Sequence, residues 1–584
     1  MKMRLPSVLV GSALLCASAA CRDSSGPRPP LSACTATASN ATDLTLAPGG
    51  VAVLSGSQLA CVRVPSTTAA ADYVFVVTDV DTKLDVLQGY TFNAQSLAAA
   101  DVGSAALVAR ATSVDGGAAA APAASYATER EASIRTYERT HLRGPSLALS
   151  SGTGATGLRA NVVAAATAVP VVGDTMQYRV PSTDLKADAC VTYDSIKAVV
   201  KYVGTSSIIA QDVNAPANGF TATDFQAVAN EFDTKIYATD VSYFGNPSDI
   251  DQNGKVVLLF TPLINKATPK NSTSFFAGFF FAGDLFPRTK TSTSSGCKES
   301  NLAELFYLLV PDPTGAFGDP RSVNTVRQIT RGTVAHEFQH MINAGVRLPN
   351  PNAAFEETWL DEGLAHFAEE AVGRDERGFG DLQALNFSDV SAVSTDYAAF
   401  FDQNLRRFKD WLQRPDTSSG PSAHADANLS SRGAAWALVR YSADRFSGGD
   451  VRGFTRRLVA GPETGIANLA ARAGTTYETI LTGYQVANYA DDLPITGLDP
   501  RFTYTSWVMR NAVAGASGGS YPLLVTPISA SGTTSSGKMR SGAAAYFRWN
   551  PTSSAPALAV RLLDGTGSTA ATWTGARLVV LRAN

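Results

Sequence analysis

The sequence has few histidines, few cysteines and little charge, and each shortage narrows what the chain can be. Its 584 residues include five histidines and six cysteines, and 17% are charged, with a formal net charge of −3. The missing basic excess argues against nucleic acid or an anionic membrane surface as the main partner. No apolar segment of about 20 residues marks a transmembrane helix. The length exceeds what one hydrophobic core supports, so we expect a multidomain protein.

Two of the five histidines stand four positions apart, with a glutamate directly after the first. Residues 336–340 read His-Glu-Phe-Gln-His. On a helix, His336 and His340 lie one turn apart on a single face, where two imidazole nitrogens can bind one metal ion. Val334 and Phe338 fall on the opposite face and can pack into a core. This spacing arises by chance on the order of once in a thousand such sequences, so it predicts the helix of a zinc hydrolase.

A second predicted helix supplies the ligand that the first one lacks. Glu362, His366 and Glu369 fall together on one of its faces, opposite Leu360 and Leu364. A catalytic zinc takes three protein ligands and keeps one position for water, so a glutamate can complete the pair of histidines. The predicted ligands of one Zn²⁺ ion are His336, His340 and Glu362.

These two segments resemble the gluzincin metallopeptidases, whose third zinc ligand is the glutamate of a Trp-Leu-Asn-Glu-Gly-type segment. Here that glutamate is Glu362. Over about residues 170–495 the chain is similar to the hyicolysin-like peptidase family. The resemblance implies a zinc endopeptidase with a thermolysin-like arrangement, acting on peptides or proteins. The stretches that carry the wider similarity are 249–260, 300–307, 336–343 and 433–441.

The chain departs from the family pattern beside the third ligand. Asp361 replaces the commoner asparagine, and His366 stands where thermolysin-like enzymes place an aspartate that orients the first zinc-binding histidine. Three roles stay open for His366: it orients a ligand, it binds zinc in place of Glu362, or it only packs in its helix. Glu369, one turn further along, is an alternative orienting group.

The expected mechanism uses Glu337 as the general base. Zinc lowers the pKa of its water from 15.7 to roughly 7, and Glu337 takes the proton and later passes it to the leaving amine. A further donor to the oxyanion is expected from the resemblance. His424 and Arg432 are placed suitably in the chain, but a loop histidine and a surface arginine are the default interpretations of the two.

The first residues predict export. Lys2 and Arg4 precede an apolar run over residues 5–20 that is too short to span a bilayer as a mature helix. The segment is cleaved either as an ordinary signal peptide or at a lipoprotein box that ends at Cys21. If Cys21 carries a lipid, an even number of cysteines remains for disulfides, whereas ordinary cleavage would leave one unpaired thiol, so the lipoprotein is favoured. We expect an outer-surface or periplasmic lipoprotein, or a secreted protein, with a lipid at Cys21 as its only contact with a membrane. The remaining cysteines then form two expected bridges in an oxidising compartment, Cys34 with Cys61 and Cys190 with Cys297.

The predicted fold is a multidomain one, with an α+β zincin-type (thermolysin-like) catalytic domain, a helical C-terminal lobe, and a β-sandwich domain at each end of the chain. The charged helix near His141 lies in the spacer, which we interpret as a linker rather than a site. The predicted segments are a signal or lipoprotein segment 1–21, a tether 22–33, an N-terminal sandwich 34–100, an Ala/Gly-rich spacer with a helix 101–165, the catalytic domain 166–385, the helical lobe 386–498 and a C-terminal sandwich 499–584.

A second metal is not favoured. Residues 249–254 read Asp-Ile-Asp-Gln-Asn-Gly, which is similar to the opening of a calcium loop. The twelfth position from Asp249 is Phe260, where an EF-hand needs a bidentate glutamate. The segment therefore predicts a polar turn, with calcium as the weaker alternative.

Two other functions stay open at this point. One is a catalytically inactive cell-surface binding protein on a peptidase fold, which the paired β-domains and the irregular His366 favour. The other is an exopeptidase, which would need a charged pocket for a chain terminus. The intact base and ligand set favours the active endopeptidase, which we expect to be a monomer.

Overall fold

The computed structural model describes residues 34–97, 126–142, 168–182, 187–272, 274–292, 294–349 and 354–584. The predicted signal and tether, together with Cys21, lie outside these residues. Within them, no helix is both long enough and apolar enough to cross a membrane.

The strands of the described residues form three sheets. Two five-stranded sheets have the orders β1-β3-β15-β5-β13 and β12-β14-β4-β16-β2, and a six-stranded sheet has the order β10-β11-β9-β8-β7-β6. The strands are β1 Thr42–Asp43, β2 Val51–Leu54, β3 Val62–Val64, β4 Tyr73–Asp79, β5 Leu87–Ser96, β6 Thr175–Pro181, β7 Tyr193–Val203, β8 Ser207–Asp212, β9 Val256–Phe260, β10 Gly278–Phe280, β11 Leu305–Leu308, β12 Val525–Pro527, β13 Gly532–Arg540, β14 Ala544–Trp549, β15 Leu558–Asp564 and β16 Ala576–Arg582.

The two ends of the chain build one β-sandwich together, so the prediction of two separate sandwiches is wrong. Strand β5 pairs with β13 and β15, and β4 pairs with β14 and β16. Every residue of β4 is buried, so this strand needs neighbours on both edges and cover on both faces. The strands of the N-terminal part of the chain alone do not supply them. Between the sheets, the rings of Phe92 and Phe547 stack with centroids 3.9 Å apart.

Helices cover the six-stranded sheet and build the lobe after it. Strand β9 runs parallel to β8 and β11 and is buried along its whole length, as expected for a sheet covered on both faces. The helices are α1 Tyr126–His141, α2 Ala222–Glu231, α3 Tyr237–Phe244, α4 Pro262–Lys266, α5 Val323–Arg347, α6 Thr358–Arg377, α7 Phe387–Ser391, α8 Ser394–Phe400, α9 Asp402–Leu412, α10 Leu429–Phe446, α11 Val451–Ala460, α12 Gly465–Ala473, α13 Tyr477–Ala490 and α14 Met509–Ala516.

Both predicted disulfides are present. Cys34 is bonded to Cys61 at the sandwich, and Cys190 to Cys297 across 107 residues of the sheet domain. The second bridge ties the loop after β10 to the segment before β7. A closed loop of this length restricts the unfolded chain strongly, so we expect this bridge to stabilise the domain.

Candidate metal centre

Helix α5 carries the two histidines of the predicted zinc motif. It begins after Ser322, whose hydroxyl accepts a hydrogen bond from the Thr325 N–H at 3.1 Å, and it ends at Arg347. Val334 and Phe338 are buried in the core, as expected for the face opposite the histidines. The helix is therefore anchored on one side and presents its imidazoles on the other.

The predicted ligands come together between α5 and α6. The Nε2 atoms of His336 and His340 are 3.2 Å apart. The Glu362 carboxylate lies 3.4 Å from Nε2 of His336 and 3.9 Å from Nε2 of His340. Two ligand atoms of a tetrahedral zinc, each about 2.0–2.1 Å from the ion, are about 3.3 Å apart. These residues therefore fit one zinc ion in both ligand type and spacing.

A carboxylate stands behind each of these histidines. Glu369 Oε1 is 2.8 Å from Nδ1 of His336, and Asp361 Oδ2 is 3.0 Å from Nδ1 of His340. Asn343 in turn donates a hydrogen bond to Asp361 at 2.7 Å. With a proton on each Nδ1, the Nε2 lone pairs would be free to bind a metal. The aspartate at 361, a departure from the family pattern, thus contacts a predicted ligand directly.

His366 lies beside both Glu369 and His336, and the rings of His336 and His366 have centroids 4.6 Å apart. Nδ1 of His366 is 2.8 Å from the same Glu369 oxygen, and its Nε2 contacts the Arg407 guanidinium. Burial lowers the pKa of His366 to about 4. The charge of Glu369 opposes this shift, the charge of Arg407 adds to it, and burial is the largest effect. His366 is therefore neutral. The same Glu369 oxygen therefore contacts Nδ1 of both His336 and His366.

Arg432 is also part of this site, and its interpretation as a surface arginine is wrong. Its side chain is 2% exposed, and its NH1 lies 3.1 Å from Glu362 Oε2. The neighbouring Gly433 lets α10 approach α9 closely, since a Cβ there would lie 2.3 Å from the carbonyl carbon of Arg407. His424, in contrast, is exposed as expected.

Helix α1 lies over the same site, so its interpretation as part of a spacer is also wrong. Glu131 Oε1 lies 3.6 Å from His336 Nε2, and Glu131 Oε2 lies 3.0 Å from Arg432 NH1. Burial raises the pKa of Glu131, but Arg432 and His336 outweigh it and hold that pKa at about 2. His141, at the end of the same helix, is exposed as predicted.

Glu337, the predicted base, is buried beside the metal position. Its Oε2 accepts hydrogen bonds from the Phe280 N–H and from the Arg135 guanidinium, both at 2.9 Å. Burial raises the pKa of Glu337, while Arg135 opposes the shift. The edge strand β10 and the helix α1 therefore both contact the carboxylate.

The predicted polar turn at residues 249–254 forms. Asp251 accepts hydrogen bonds from the backbone and the side chain of Asn253. Glu304, which sequence reasoning missed, brings a third carboxylate to the turn, and oxygens of Asp249, Asp251 and Glu304 lie within 4.8 Å of one another. No local spacing could have indicated Glu304, because it follows the turn by some fifty positions.

A buried His, His, Glu set with a further glutamate beside it is the arrangement of a metal-dependent hydrolase. No family model matches the chain. A curated relative is the neutral metalloprotease ShpI of Staphylococcus hyicus, 33% identical over 150 residues. The aligned part covers 25% of this chain and 31% of that protein. The chain thus has a metalloprotease among its relatives, and the match spans about a third of that protein's length.

Proposed function

We propose that the chain is a zinc-dependent metalloendopeptidase of the gluzincin type, with His336, His340 and Glu362 as metal ligands. The observation that carries the proposal is the convergence of these three side chains from α5 and α6, with Glu337 alongside. The metalloprotease relative supports the same class. An inactive binding protein would be free to lose the base or a ligand, and this chain keeps all four residues.

In the proposed mechanism, bound zinc supplies an activated water, with a pKa of about 7 instead of 15.7, and polarises the scissile carbonyl. Glu337 takes the proton of the attacking water and passes it to the leaving amine. The Phe280 N–H holds the Glu337 carboxylate in place during both transfers. Glu369 and Asp361 keep the ligand histidines in the tautomer that the metal requires.

Arg432 is the proposed donor to the oxyanion. Its guanidinium already contacts a carboxylate oxygen, that of Glu131, beside the metal ligands. A substrate carbonyl that develops negative charge at this place would receive the same hydrogen bond. The buried setting strengthens that contact, because little water screens it.

The edge strand β10 is the proposed platform for the peptide. Among the described residues, β10 is the edge strand of its sheet and pairs with β11, so its other edge can pair with an extended chain. Phe280, its last residue, adjoins Glu337, so a peptide along this edge passes in front of the base.

We also propose that the protein is exported, as a lipoprotein attached through Cys21 or in secreted form. The two disulfides support an oxidising compartment. Globomycin treatment of expressing bacteria tests the lipoprotein form, because it blocks the lipoprotein signal peptidase and should cause the precursor to accumulate. Unchanged processing would refute lipidation.

The experiment that tests the peptidase compares wild type with Glu337→Gln. Both proteins should bind about one zinc per chain, since Glu337 is not a ligand. Only wild type should cleave an unfolded protein such as reduced casein. Each enzyme is assayed twice, once as the intact full chain and once after limited proteolysis of that chain. Glu376→Gln, on α6 and partly exposed, is the matched control and should retain activity. Equal cleavage by Glu337→Gln and wild type would refute the mechanism.

A further inference from the structure

One face of α1 places three charged side chains on the catalytic groups. Glu131, Arg135 and Glu138 are spaced by four and three residues, so they lie on one side of the helix. Arg135 and Glu138 are each 3% exposed, which is unusual for charged residues unless they are paired. Each of the three contacts a different part of the site.

Glu131 lies where a fourth ligand would be. Its carboxylate oxygen and the ligand atoms of His336, His340 and Glu362 all lie within 4.8 Å of one another. A catalytic zinc with three protein ligands keeps its fourth position for water or substrate. A carboxylate held at this position excludes both of them.

Arg135 and Glu138 occupy two other groups that catalysis needs. The Arg135 guanidinium donates to Glu337 Oε2 at 2.9 Å, which ties the base into an ion pair. Glu138 accepts a hydrogen bond from the Ala282 N–H at 2.7 Å, two residues beyond the end of β10. An extended substrate would need the same backbone region for its own carbonyl groups.

We propose that α1 is an internal inhibitor, in which Glu131 fills the open metal position, Arg135 neutralises the base and Glu138 covers the substrate edge. This inference rests on the proposed function. The chain with α1 in place is then a latent form, and departure of α1 uncovers the metal, the base and the strand edge together. The helix acts as a substrate mimic that offers no peptide bond to the base.

The test uses the full chain with cobalt in place of zinc, since the visible spectrum of Co²⁺ reports its coordination. Glu131→Ala should change the spectrum by replacing a carboxylate with water. It should also speed removal of the metal by a chelator about tenfold or more, the size of one lost charge-assisted contact. The control is Glu129→Ala on the same helix, because Glu129 is exposed, and it should match wild type in both measurements.

A second variant keeps the inference testable if the spectra are hard to separate. Arg135→Met leaves Glu337 and Glu138 without their shared cation, so the docked helix should open more often. Hydrogen exchange of peptides from α1 should then accelerate, while peptides from α5 exchange as in wild type. Casein cleavage should rise in both variants.

The outcomes separate this inference from the proposed function. Identical cobalt spectra, chelation rates and α1 exchange across wild type, Glu131→Ala and Arg135→Met would overturn the inhibitor role, even if casein is cleaved. A changed spectrum and faster chelation without cleavage of any substrate would support the blocked metal position and refute the peptidase.

Discussion

Replacing Glu369 by glutamine should weaken zinc binding without unfolding the protein. Glu369 is buried and accepts hydrogen bonds from Nδ1 of His336 and Nδ1 of His366, both at 2.8 Å. Glutamine keeps a carbonyl oxygen for these contacts but removes the negative charge that makes the His336 ligand more basic. Loss of a group that orients a metal ligand in this way costs about 10–100-fold in affinity, or about 1.4–2.7 kcal/mol.

The choice of glutamine rather than alanine follows from burial. Alanine would leave two buried imidazole N–H groups without an acceptor, each costing about 1–3 kcal/mol of folding stability. A loss of metal in Glu369→Ala would then be confounded with partial unfolding. Glu369→Gln separates the two effects, because its thermal midpoint in the metal-free state should stay near that of wild type.

The assay is a competition titration of zinc against a chromogenic chelator at neutral pH. Glu376→Gln is the matched control, since Glu376 lies on the same helix, is partly exposed and forms an ion pair with Lys235. Affinities of Glu369→Gln and Glu376→Gln that agree within about twofold would refute the orienting role, because even the weakest such contact is worth more.

Three further predictions concern catalysis and stability. Arg432→Gln should lower kcat by about 10²–10³-fold with zinc still bound, as for loss of an oxyanion donor, and kcat within about threefold of wild type would contradict that role. Peptides blocked at both ends should be cleaved internally, and mass spectra that show only terminal residues released from free peptides would favour an exopeptidase. Burial raises the pKa of Asp284 to about 7 against 3.8 in the unfolded chain, so its contribution to stability is full below pH 3.8 and is lost as pH rises through 7. The free energy of unfolding of Asp284→Asn, measured in urea, should therefore rise relative to that of wild type between these pH values, by up to about 4 kcal/mol. A difference between the two proteins that stays the same from pH 3.8 to pH 7 would refute the raised pKa.

The sequence was most informative where local rules decide the structure. Ser322 is a good N-cap, and the apolar residues of α5 recur with helical spacing, so the helix and its active face could be predicted. The same reasoning placed Glu362 and Glu369 on one face of α6, and the structure sets both beside His336. The zinc itself remains a prediction.

The β-sandwich could not be assembled from the sequence, because strand partners depend on contacts between distant segments. Strand β13 is rich in Gly, Ser and Thr and contains no run of apolar residues, so its sequence is typical of a turn region. It nevertheless pairs with β5 along its whole length. Pairing, rather than propensity, makes this segment a strand.

The groups that complete the site were missed because charged residues are expected at the surface. Arg432 was interpreted as a surface arginine and Arg135 belongs to the predicted spacer helix, yet each is buried against a carboxylate. Glu131 lies in a helix whose flanking sequence contains no catalytic or metal-binding motif. Only the charges of the opposing helices, which the sequence cannot place in space, make these positions favourable.

The most direct test of the central claim is to locate the metal by anomalous diffraction at the zinc edge in crystals of the full chain. The account predicts one peak about 2.0–2.2 Å from Nε2 of His336, Nε2 of His340 and an oxygen of Glu362. With α1 docked, a Glu131 oxygen should be the fourth neighbour. A peak held instead by His366 and Glu369, or no peak near His336 in zinc-loaded protein, would contradict the account.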